Sequence, residues 1–497
     1  MTDRASAALD VWRARNVRTG GDRAYLAYLV LMVALVTVAP VARAVWLSVS
    51  SAAGAALFAS PASPSVTSAV VAGLWASALL LGRDRGPALL PPFPTHALAT
   101  SDMSRAVAFR GSVLRAGLVM TSLTTISAGL VGISLASGRL TDVLGAVMFI
   151  AAGFMVGVVA TVAWIVGQAF PRVAVNLGLS ILGMGMLTAT FPAVQPFTPW
   201  GWPGLAYPGV GSPAAVVALT ALTAALVAAV PALMNRLGLA DLMAQAMRWE
   251  SATTHAAGMD LAGAATVYQA RRRLGRNLRA VRASQPLPIV FLIRDAMGAV
   301  RTPGRLIVGV LALGVAGTLI TFAFTPGAPG WVLGAAAGVV LYAGLSPLSD
   351  GIRHAASVAG DLPLYGISDE HLLAGHTIFP LAVTALVLLV VVLVWCAAAG
   401  LGLAAPVLSS LALGILALAD RISSALKGPL PTALLAPIPT PVGDLGAAVR
   451  VTWAFDGVLA AALIGAATAL MFQFPVLFLG VAVTLVAVGA YRWRHRT

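Results

Sequence analysis

The chain has 497 residues, of which 59% are hydrophobic and only 10% charged, against roughly 25% charged in soluble domains; its mean hydropathy is +0.92. These values exclude an ordinary soluble protein, and the single cysteine, Cys396, excludes any disulfide within the chain. The net charge of +14 is carried almost entirely by arginine, with Lys427 the single lysine, and basic residues gathered in the inner loops of a membrane protein account for it without nucleic acid.

Residues 1–23 are polar and contain five arginines. The apolar run that follows is too long for the core of a signal peptide, so the first helix is expected to stay as an anchor. Apolar runs of spanning length recur at 24–47, 65–82, 113–137, 142–167, 172–193, 213–235, 304–325, 331–348, 377–399, 406–420, 456–473 and 475–491. Each approaches the roughly 20 residues needed to cross the hydrocarbon core. The tenth is the shortest, and its loss would put the C-terminal arginines outside.

The connections between these runs provide a check on the count. Alternate ones (48–64, 138–141, 194–212, 326–330, 400–405 and 474) contain Arg139 as their one charged residue, with Asp142 at the edge of the next helix. The others are charged throughout, and the central stretch 236–305 has 11 arginines and 4 acidic residues. Basic residues favour the cytoplasmic side. The pattern therefore predicts an all-α polytopic membrane protein of about twelve transmembrane helices, multi-pass in the cell membrane with both termini cytoplasmic. The outer connection 194–212, with Trp200, Trp202 and Tyr207 among prolines and glycines, reads as an interfacial aromatic belt, or alternatively as a lid over a substrate path.

Two openings repeat. VRTGGDR at 17–23 precedes the first run and VRTPGR at 300–305 the seventh, each after a short, partly amphipathic stretch (8–16 and 291–299). Both read as an interfacial elbow helix, a turn at Gly, then a span. Arg13, Arg15, Arg18 and Arg23 would face lipid on the first elbow, and Arg294, Arg301 and Arg305 on the second. After the second and eighth runs come LPPFPTHALATSDMSRAVAF, from Leu90, and DLPLYGISDEHLLAGH, from Asp361. Each is a proline turn leading into a short amphipathic helix. Residues 1–235 and 290–497 thus read as two six-helix repeats joined by a basic cytoplasmic linker, 236–289. Repeats of this kind place transport sites at their interface. In the linker Arg271, Arg272, Arg273, Arg276, Arg279 and Arg282 would meet anionic lipid, at roughly 1 kcal/mol per arginine near the leaflet, or a partner protein.

Motifs for chemistry are missing. The chain contains no phosphate-binding GxxxxGK[ST] and no HExxH or CxxC, so no metal, cofactor or ATP site of its own is expected. Asp369, Glu370, His371 and His376 cluster in what reads as a solvated loop. The spans hold few ionisable residues, with Asp142, Asp420 and Asp456 at run ends. Ion-coupled carriers place acids at membrane depth, so their scarcity points to work driven from outside the chain.

The elbow-then-span openings, the proline-turn helices and the missing ATP site resemble the permease subunits of type-2 ABC exporters in a double-length form. The resemblance spans both halves and rests on 17–23, 300–305, 90–109 and 361–376. It implies a non-enzymatic transport permease that moves a hydrophobic or amphiphilic substrate by alternating access, driven by a separate cytoplasmic ATPase dimer. It also implies coupling contacts at Asp102, Arg105 and Arg110 in the first half and at Asp361, Asp369 and Glu370 in the second. An ATPase-independent carrier or flippase, and a membrane scaffold without transport, are the alternatives.

Overall fold

The structure is a computed structural model that describes residues 7, 10–12, 14–15, 19–35, 39–268, 285–359, 366–427, 430–431, 439–440 and 443–495. Among them the chain is all-helical apart from one antiparallel pair of two-residue strands, Pro439–Thr440 with Gly443–Asp444. Among the described residues ten helices are long and apolar enough to cross a membrane, so the protein is a polytopic membrane protein. The chain divides into two compact units, Met1–Thr254 and His255–Thr497.

The first unit opens with α1 (Gly20–Val33), α2 (Ala39–Val49) and α3 (Ala52–Phe58). The run expected at 24–47 is therefore described as two helices. Pro40 occupies the first turn of α2, where its missing N–H costs nothing, whereas in a helix interior it would break the ladder. The spanning helices of this unit are α4 (Ser63–Asp84), α7 (Arg110–Ser137), α8 (Val143–Ala169), α9 (Pro171–Thr190) and α11 (Pro213–Asn235). Short helices α5 (Pro92–Ala99), α6 (Arg105–Ala108) and α10 (Trp202–Leu205) lie in the connections, and α12 (Leu239–Ala257) follows the last span.

Helices α4 and α8 supply most of the core, with Val71, Trp75, Ala152, Val156 and Ala160 in one buried cluster. They approach so closely that a Cβ on Gly82 or Gly167 would overlap the backbone of the other helix. Small residues at contact points are what allow helices to associate where apolar lipid removes the hydrophobic drive. Trp75 Nε1 donates across this contact to the Val156 carbonyl at 3.1 Å. By contrast α7 exposes Leu118, Leu123 and Ile126, as a lipid-facing helix does.

The connection 191–212 is folded onto its own unit. Trp200 Nε1 donates to Thr188 Oγ1 and Gln195 Nε2 to Ser65 Oγ. The Tyr207 hydroxyl donates to the Phe58 carbonyl at 2.7 Å, and its ring stands edge-on to Phe149. Tyr207 is buried and Trp200 half-buried, so both rings pack against their own unit.

The second unit contains α13 (Leu261–Val267), α14 (Leu287–Val300), α15 (Pro303–Phe322), α16 (Gly330–Gly344), α17 (Asp350–Val358), α18 (Asp369–Ala399), α19 (Ala404–Ala425), α20 (Leu445–Ala469) and α21 (Pro475–Arg494). Its core runs through Leu313, Ile320, Leu341, Leu388, Leu413 and Ile464. Helix α16 has 15 residues, about 22 Å at 1.5 Å per residue, and falls short of a full span. Turns at 345–348, with Pro347 among them, end it. Its Gly334 and Gly338 face Gly465 and Ala461 on α20 at backbone contact. Helix α19 extends past the expected limit of its run and α20 starts well before it. That extension carries Asp420 and Asp456 into helices, where the sequence reading has them at run ends.

Candidate functional site

Three polar stations are built into these helices. In the first unit, the turn after α4 is held by two buried glutamines. Gln245, on the buried face of α12, accepts from the Gly86 N–H and from Gln168 Nε2, and donates to the carbonyls of Gly82 and Arg83. Gln168, at the end of α8, accepts from the Ala88 N–H and donates to the Ala88 carbonyl. Every donor of both carboxamides is used, the condition under which buried amides stabilise rather than cost. Trp164 Nε1 donates to the Arg85 carbonyl, the Arg85 guanidinium stacks 3.7 Å over the Trp249 ring, and Arg248 pairs with Asp84 at 3.3 Å. Further along, the Ala106 N–H donates to Asn235 Oδ1, fixing α6 to the end of α11.

The second station joins α14 to the helices beyond it. Asp295 Oδ2 on α14 lies 2.7 Å from His376 Nδ1 on α18, with the two side chains 8% and 1% exposed. Phe291 stands edge-on to the imidazole at 4.8 Å. Gly351 lies alongside, because a Cβ there would overlap His376. One turn away, Asp350 at the head of α17 pairs with Arg305 at 3.0 Å and Arg353 at 3.1 Å, and Arg353 also reaches the Ser346 carbonyl. Burial holds the Arg353 guanidinium below its usual range, and the neighbouring Asp350 opposes that shift. A cavity of about 430 Å³ lies between these groups, with Arg294, Arg301 and His354 also on its wall.

The third station lies where α19, α20 and α21 meet. Asp456 takes Lys427 Nζ on one oxygen at 2.7 Å and Arg492 on the other at 2.5 Å. Lys427 also stacks 3.7 Å over the Trp453 ring and bonds that residue's carbonyl. Burial lowers the pKa of Lys427, and the Asp456 carboxylate works against that shift. Arg492 also donates to the carbonyl and hydroxyl of Ser423. Arg421 lies over the Tyr342 ring and bonds its carbonyl, while Tyr342 Oη meets Ser424 Oγ at 3.1 Å. Asp420, only 3% exposed, has an Oδ2 with no hydrogen-bond partner among the described residues. It lines a partly open groove of about 570 Å³ together with Ser423, Asp456, Thr484 and Arg492 and a larger set of apolar side chains.

The residues singled out in the sequence fall as follows. Asp102 is exposed between α5 and α6, Arg105 begins α6 half-buried, and Arg110 begins α7 exposed. Asp369 and Glu370 form the first turn of α18 behind the capping Ser368. Their carboxylates suit the positive end of the helix dipole. Asp361 lies outside the described residues, as do Arg271, Arg272, Arg273, Arg276, Arg279 and Arg282. Arg13 and Arg18 are likewise outside, Arg15 is exposed, and Arg23 falls on α1. Arg294 is exposed on α14, whereas Arg305 is drawn into the Asp350 network. His376 also departs from the sequence reading: expected in a solvated loop, it is buried, because α18 begins at Asp369 and carries it two turns inward. Among the described residues no three His, Cys, Asp or Glu side chains gather as a metal site.

Comparison of the chain with protein-family models, with curated proteins and with solved structures finds no match.

Proposed function

We propose that the chain is the membrane-spanning permease of an ABC-type exporter. It has twelve spans in two repeats and both termini inside the cell, and moves a hydrophobic or amphiphilic substrate by alternating access. The reading counts 24–47 and the short helix α16 as spans beside the ten long ones. What supports it most is that, in each unit, the connection after the second of these spans carries a short helix anchored on its own unit, although in the second unit this is α17 and not the short helix read at 361–376, whose residues 369–376 are the first turns of α18. In the first unit α6 is tied through Asn235, with the preceding turn tied through Gln168 and Gln245. In the second, α17 is tied through Arg305, Asp350 and Arg353. A helix fixed in this way transmits a push from a docked subunit to the spans on either side, where a loose loop would absorb it.

On this reading a soluble ATPase dimer docks at Asp102, Arg105 and Arg110 and at Asp361, Asp369 and Glu370. The test is affinity purification from the native membrane with identification of what comes along. An ATP-hydrolysing subunit is expected, and R105E/R110E or D369K/E370K should release it. A chain that never carries such a subunit, and whose transport ignores ATP depletion, overturns the proposal.

One observation favours a second reading, an ion-coupled carrier. Asp420 and Asp456 lie within helices beside Arg492 and Lys427, and acids in spans commonly mark ion pathways. Transport in proteoliposomes with an ion gradient and no ATP would select it.

A further inference from the structure

The groove between α20 and α21 combines an apolar wall with one unsatisfied charge-bearing group. Leu463 and Ile464 on α20 and Leu477, Val481, Leu485 and Val488 on α21 form its sides. From Val476 to Val488 the wall runs about 18 Å along α21, long enough for a fatty chain. Helix α21 buries little of its own length, so the groove opens toward the surroundings of the bundle.

The polar end is asymmetric. Of its two carboxylates, Asp456 is saturated by Lys427 and Arg492, and those cations are further committed to Trp453 and Ser423. Arg421 is turned away onto Tyr342. Asp420 is left with a buried Oδ2 that no described donor reaches. A buried acceptor without a donor carries a desolvation cost that a bound donor removes.

We infer that this groove binds an amphiphile with a protonated primary amine, its ammonium donating to Asp420 and its chain lying along α20 and α21. A sulfate headgroup, or a phosphate without an amine, would bring a negative charge beside Asp420 and meet only Arg492, which Asp456 and Ser423 already hold. An alcohol would bring a donor without the charge. The ammonium chemistry has two sources, an aminophospholipid of the bilayer or a free long-chain amine. The inference concerns binding alone and does not rest on the permease reading.

The full-length protein in phosphatidylcholine nanodiscs is photolabelled with diazirine-bearing hexadecylamine, hexadecanol and hexadecyl sulfate, and labelled peptides are mapped. The amine should label the α20 and α21 peptides about tenfold more than either competitor, the worth of one charge-assisted hydrogen bond. The near-isosteric D420N should erase that preference while leaving the peptide map unchanged. V481W, which fills the groove, should lower labelling by all three probes. Lipids carried through purification from the native membrane identify the source. Phosphatidylethanolamine enriched over the membrane average, and lost in D420N, assigns a bilayer lipid. Labelling without such enrichment assigns a single-chain amine. An amine preference that survives D420N, or labelling led by the sulfate, overturns the inference.

Discussion

His376 Nδ1 lies 2.7 Å from Asp295 Oδ2, so the first turns of α18 are held by the helix that precedes α15, 81 positions earlier in the chain. The contact is nearly dry, and Phe291 packs edge-on to the ring. Removing either partner leaves the other unpaired at a nearly buried position. D295A and H376A should each lower the unfolding free energy by on the order of 2 kcal/mol. The double variant should cost little more than either alone, since the second substitution removes an already unpaired group. Thermal melts of the purified protein measure all three, and strictly additive losses would show that the two side chains do not act together.

The Gln168–Gln245 pair does the corresponding work in the first unit, fixing the turn that follows α4. Q245A leaves the Gly86 N–H, two carbonyls and one Gln168 donor without their partner. Each loss costs about 1 kcal/mol where water cannot replace the bond. Hydrogen exchange should accelerate over residues 83–91 and 239–257 and stay unchanged in α7, which the pair does not touch. Uniform acceleration across the unit would instead mean that the glutamines serve general stability and not this turn.

Close helix contacts make a third prediction. A Cβ on Gly338 would overlap the Ala461 carbonyl, and one on Gly465 the carbonyl of Gly334. Backbone cannot swing aside as a side chain can, so G338A and G465A should each destabilise by about 1–3 kcal/mol, despite alanine's better helix propensity. Gly480 has nothing within 4 Å, and G480A should be neutral or slightly stabilising in the same melting assay. Equal behaviour of the three variants would mean that the α16–α20 contact is not as tight as described.

The helices themselves were legible because a span must be apolar over its whole length, and that is a local property. What lay between them was not. Asp420 and Asp456 appear as run ends in the sequence because an apolar window stops at its first charge, whereas the helix does not. His376 follows Asp369, Glu370 and His371, so its polar neighbours read as a loop; its burial comes from Asp295, far away in sequence. Gln168 and Gln245 carried no signal at all, since one glutamine in an apolar run and another in a polar helix give no hint of meeting. The motif at 300–305 marks the start of α15, but the residue that fixes the preceding helix α14, His376, lies far outside it.

Tyr207 provides a pH-dependent prediction. Burial pushes its hydroxyl up to about 12, and the proton it keeps is the one donated to the Phe58 carbonyl. The unfolded chain releases that proton near pH 10, while the folded protein holds it until about pH 12. The folded state therefore binds more protons in that window. By linkage, the stability contributed by this group is complete below pH 10 and declines as pH rises toward 12. Melting temperatures of the wild type should accordingly fall from pH 9.5 to pH 11.5, roughly the interval between these two values. Y207F should start lower, having lost a bond worth about 1 kcal/mol, but descend less steeply. Because the connection 191–212 is tied down by this hydroxyl, hydrogen exchange over 202–212 should rise in Y207F already at neutral pH. Parallel slopes for the two proteins would mean that another group governs the alkaline limit and that Tyr207 anchors the cap by packing against Phe149 alone.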